Sequence, residues 1–258
     1  MTGNLGLYTR SLFKVSERDK ELFEIYLLKT KLSFYCPKGN APLKADLHGY
    51  THIDERPYIN PLSAIDYSPD PEDGDPLYFS QTFLRRACHL RPVGWLRKPA
   101  AELVFSASAL TRNLRDCPPQ HLMVPENTKA WVINQCRESA STLAKVEITE
   151  IDGMYRIDFD DTDEEITPII DPHVSVIDVG GRPIYAHNPS PDRLVFYIAA
   201  SEDTMISFNF LIKLVRQASE AEKEDIIRSA SMEANAIINS IRLDINHRSP
   251  VGISTQNY

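Results

Sequence analysis

The sequence predicts an α+β protein: a mostly helical, loop-rich N-terminal part, an antiparallel sheet of about five strands at roughly 145–200, and two C-terminal helices packing on it. Three observations carry this expectation. Apolar residues before residue 145 recur at helical spacing, the spacing changes to alternation around Asp152-Gly153 and Gly180-Gly181, and an apolar helical stripe closes the chain. Two parts follow, 1–144 and 145–258, which a chain of 258 residues can also join into one continuous domain.

The first predicted helix runs from about 17 to 33. Ser16 suits its cap, Asp19 its first turn, and Phe23, Tyr26, Leu27 and Thr30 recur at helical spacing. Residues 53–76 contain five prolines and resist both helix and strand. They read as a long ordered arm that wraps a neighbour, with Tyr58, Ile59, Leu62, Ile65 and Tyr67 as its interface residues. Helical character returns at Tyr78–Leu90, at Pro99–Arg115 and at about 127–143, where Trp131, Val132 and Cys136 share a face.

Past Ala144 the pattern alternates. Residues 145–151 and 154–160 flank Asp152-Gly153, and residues 173–179 and 182–187 flank Gly180-Gly181, two hairpin signals in succession. Arg193–Ala200 makes a fifth strand. Ser201 ahead of Glu202-Asp203 then predicts a helix carrying Phe208, Leu211, Ile212 and Val215 inward. Ser219 opens the last helix, whose stripe is Ile226, Ile227, Ala230, Ala234, Ile237, Ile238 and Ile241.

Composition narrows the function classes. With 42% hydrophobic and 25% charged residues the chain is not disordered throughout. No apolar run reaches the ~18 residues that span a bilayer, so no membrane partner is expected. The opening residues MTGNLGLYTRSLFKVSERDKE lack the apolar core of a secretory signal. Cys36, Cys88, Cys117 and Cys136 form no CxxC pair and read as reduced thiols, which points to a cytoplasmic location.

Charge is segregated along the chain. Arg85, Arg86, Arg91, Arg97, Lys98, Arg112 and Arg115 face the single acid Glu102, whereas Glu147 to Asp171 holds ten acids and one base, Arg156. The acidic run Asp158–Glu165 does not match an EF-hand, because the sixth position is Asp163 rather than glycine and the twelfth is Ile169. Opposed patches suit association of copies, a basic surface on one meeting an acidic surface on the next. Trp95 among Arg85, Arg86, Arg91, Arg97 and Lys98 also makes this segment a candidate nucleic-acid surface. The net charge of −8 opposes non-specific backbone binding as its sole purpose.

Catalytic patterns are sparse. Nucleotide loops, dinucleotide fingerprints, the hydrolase elbow and H-E-x-x-H do not occur. Asp46, His48 and His52 lie close together and are ligand types suited to a borderline metal. Asp46-Leu47-His48 is similar to the Asp-x-His opening of metal-dependent phosphoesterases and amidohydrolases, whose later His-rich motifs this chain lacks. That segment supports a metal-dependent hydrolase or transferase as an alternative. The favoured expectation is a non-catalytic structural or interaction subunit of a larger assembly, without a cofactor. Its partners would be other proteins or copies of itself, met through the arm, the C-terminal helices and the charge patches.

Overall fold

The protein is represented by a computed structural model that describes residues 13–15, 20–27, 30–39, 58–59, 78–93, 98–112, 121–144, 146–151, 154–159 and 172–245. In chain order the elements are β1 (Phe13–Lys14), β2 (Lys20–Leu27), β3 (Thr30–Pro37), β4 (Tyr58–Ile59), β5 (Tyr78–Pro92), β6 (Ala101–Arg112), α1 (Pro125–Ala144), β7 (Val146–Ile151) and β8 (Met154–Phe159). Then come β9 (Val174–Asp178), β10 (Pro183–Ser190), β11 (Arg193–Ala199), β12 (Thr204–Leu214), α2 (Glu220–Asn239) and β13 (Arg242–Ile245).

Strand therefore dominates, and the expectation of a mostly helical protein with five strands is corrected. The main layer is an antiparallel seven-stranded sheet in the order β1-β5-β6-β12-β11-β10-β9. A four-stranded sheet, β13-β3-β2-β4, faces it, and β7 with β8 forms a separate two-stranded sheet. β6 pairs with β12 from Thr111↔Thr204 to Ala101↔Leu214, so residues on both sides of 145 build the same sheet.

Each corrected segment carries a period of two beneath its helical appearance. In β2 and β3, Phe23, Ile25 and Leu27 and then Leu32, Phe34 and Cys36 point into the core, so the predicted 17–33 helix is a hairpin. In β6, Ala101, Leu103, Phe105, Ala107 and Ala109 face inward while Glu102, Val104 and Ser106 alternate outward. β12 alternates in the same way through Ile206, Phe208, Phe210 and Ile212, which replaces the first C-terminal helix by a strand. β5 shifts register between Thr82 and Leu84, which lets the successive residues Phe83 and Leu84 both enter the core.

The core lies between the two sheets and is closed by α2, which packs on β1, β3, β11 and β12. Phe34 meets Phe208 edge-on at 5.2 Å between ring centroids, and Phe105 lies 5.8 Å from Phe210. The stripe Ile226, Ala230, Ala234, Ile237 and Ile238 of α2 is spent inside this core. Ser219 caps the helix by accepting from the Glu222 backbone N–H. On the other face of the large sheet, α1 docks through Trp131, Val132 and Cys136 onto Tyr185, Val195 and Tyr197. The Tyr185 hydroxyl donates to the Pro125 carbonyl at 2.7 Å, fixing the start of α1. Among the described residues no helix is long and apolar enough to cross a membrane.

Candidate functional site

Antiparallel pairing gathers every second connection at the same end of the large sheet. One end collects the close of β5, the start of β6, the turn between β10 and β11, the close of β12 and the first turns of α2. The other collects the turn between β9 and β10, the turn between β11 and β12 and the start of α1. β12 alone runs 11 residues. At ~3.3 Å per residue the two ends stand roughly 35 Å apart.

The first end is basic. Lys14 pairs in register with Arg91, and Lys98 and Lys213 lie at the neighbouring ends of β6 and β12. All four side chains are exposed, and Lys213 stands opposite Glu102 in the β6–β12 register. Arg216 and Lys223 are also here but are engaged: Arg216 pairs with Glu222, and Lys223 Nζ is 2.6 Å from Glu220 Oε1. Exposed apolar residues stand among these cations, with Val93 52%, Leu214 43% and Val215 50% accessible.

A groove opens at this end where β12 and α2 diverge. The Val215 N–H donates to the Ala100 carbonyl at 3.0 Å, holding the last strand residues beside β6 before the chain leaves for Ser219. The groove encloses about 560 Å³, with Leu211, Ile212, Leu214 and Ile227 as its apolar lining and Lys213, Lys223 and Asp192 as its charges. A second hollow of about 550 Å³ shares Leu214 and Lys223 and continues along Val215 and Arg216. Volumes of this size fall within the ~300–1,000 Å³ of ligand-sized sites.

The second end gathers four acids, with Arg182 in the β9–β10 turn and Arg112 at the close of β6 as bases at the same end. Glu202 is exposed and lies 3.4 Å from the His121 ring, and Asp203 accepts hydrogen bonds from Ser201 Oγ at 2.6 Å and Thr204 Oγ1 at 3.2 Å. Asp178 accepts from the Gly181 N–H at 3.0 Å, and Glu126 is exposed in the first turn of α1, where the helix dipole favours it. Met123 and Val124, each 41% accessible, project between His121 and Glu126. The Leu122 N–H donates to the Glu202 carbonyl at 2.9 Å and binds the α1 approach to this acidic turn.

The buried charges serve the core. Arg86, predicted to contact nucleic acid, lies between the sheets at 6% accessibility, donating to the Pro37 carbonyl at 2.8 Å, while its Nη2 stands 2.8 Å from Glu21. Lys20 Nζ approaches Glu233 Oε1 of α2 at 2.8 Å. Burial, with the nearby Glu233 carboxylate and Cys36, pushes the Cys88 thiol up to about 12, and burial pushes that of Cys136 up to about 11. Both stay protonated near neutral pH and are no nucleophiles.

The remaining predicted residues are distributed as follows. Arg85 is half-buried on β5, while Arg91 and Lys98 flank the β5–β6 connection at the basic end; Trp95 and Arg97 lie outside the described residues. Asp46, His48 and His52 also lie outside them, and the described residues contain no group of three or more metal-ligating side chains. Tyr58 and Ile59 of the arm form β4, parallel to β2 in the register Tyr26↔Tyr58, whereas Leu62, Ile65 and Tyr67 lie outside the described residues. Of the acidic run, Glu147, Glu150 and Asp158 belong to the two-stranded sheet of β7 and β8, and Asp160 to Asp171 fall outside the described residues. Glu126, Asp178, Glu202 and Asp203 were missed because their common location depends on strand order. Their only local signal is that each sits at a turn or helix start. No protein-family model matches this chain, and neither does any curated protein or solved structure.

Proposed function

We propose that this chain is a non-catalytic structural or interaction subunit of a larger cytoplasmic protein assembly. It associates with copies of itself or with other proteins through opposed basic and acidic ends. The observation that carries the reading is the separation of Lys14, Arg91, Lys98 and Lys213 from Glu126, Glu202 and Asp203 at opposite ends of one sheet. Unlike charges at opposite ends favour a heterologous, head-to-tail contact, which propagates into a ring or a filament. The apolar stripe of α2 takes no part, since its own sheets cover it. Its outward face carries Glu220, Glu224, Arg228, Met232 and Asn239.

Sedimentation velocity over a concentration and salt series tests this reading. The expected result is an average mass that rises with concentration at low salt and falls as salt screens the contact. A monomer at every concentration and ionic strength, alone and with source extract, would overturn it.

The basic end also supports a second reading, a nucleic-acid-binding subunit. Arg91 and Lys98 bracket a connection whose sequence includes Trp95 and Arg97, a combination of cations and an aromatic suited to single strands. Fluorescence anisotropy with a labelled oligonucleotide decides it. Binding should weaken steeply with salt and be reduced in Arg91→Ala, and no binding at low salt removes the reading.

A further inference from the structure

We draw no further inference here: the strongest candidate, the outer face of the four-stranded sheet, where Leu22 of β2 and Tyr35 of β3 stand opposite each other with both side chains exposed, is an unpartnered face, and nothing in the structure shows what covers it.

Discussion

The guanidinium of Arg86 on β5 stands 2.8 Å from the carboxylate of Glu21 on β2, tying the two sheets together across the core. Its other arm donates to the Pro37 carbonyl, and its plane lies 5.8 Å from the Phe23 ring. Arg86→Met keeps the aliphatic bulk but leaves a carbonyl without its donor and the partly exposed Glu21 carboxylate with only the more distant Lys38, at 3.9 Å. The loss should be about 2–3 kcal/mol, read as a lower urea midpoint at unchanged slope. Arg91→Met, at an exposed position on the same strand, should change stability by less than about 0.5 kcal/mol. Equal effects at the two positions would contradict the structural role given to Arg86.

The buried thiols predict a pH dependence. Cys88 has an ordinary value of 9.0 and is raised to about 12 by burial, and Cys136 is raised from 9.0 to about 11. Above pH 9 the unfolded chain releases these protons while the folded chain retains them, so the folded state binds more protons and stability falls as pH rises. Each thiol contributes a slope of about 1 kcal/mol per pH unit, Cys136 up to about pH 11 and Cys88 up to about pH 12. Urea melts at pH 8, 9.5 and 11 should show the decline. Cys88→Ala should begin less stable at pH 8 because of its lost packing, yet decline less steeply, and a slope identical to that of the parent chain would refute the assignment.

Much of the local chemistry was legible in the sequence, and most of the long-range structure was not. Ser219 marks the start of α2, Gly180-Gly181 marks a tight turn, and Trp131, Val132 and Cys136 mark the buried face of α1. The errors at β5, β6 and β12 share one cause. β5 and β6 are rich in Ala, Leu and Arg, good helix formers, and β12 carries apolar residues at spacings a helix could also use, but each strand is paired on both sides within a sheet, and that tertiary packing overrides local preference. In β6 the alternation of Ala101, Leu103, Phe105, Ala107 and Ala109 was present and was outweighed by the helix-favouring composition. Ser201 ahead of Glu202-Asp203 looked like a helix cap, and instead its hydroxyl bonds Asp203 within the turn that opens β12. The charged ends were illegible for a different reason. Lys14 reaches Arg91 only because β1 pairs with β5, a neighbour relation that no local pattern encodes.

The turn between β9 and β10 offers a backbone test. Gly180 and Gly181 have φ of 62° and 81°, and the Val179 N–H donates to the Arg182 carbonyl at 2.9 Å to close the two-residue loop. A Cβ at Gly181 meets no atom within 4 Å, so the consequence of a side chain there is conformational alone. Gly181→Val should lower stability by about 1–2 kcal/mol, and Gly181→Asn by clearly less, since Asn tolerates the left-handed region. Equal losses in the two variants would show that the backbone conformation is not the cause.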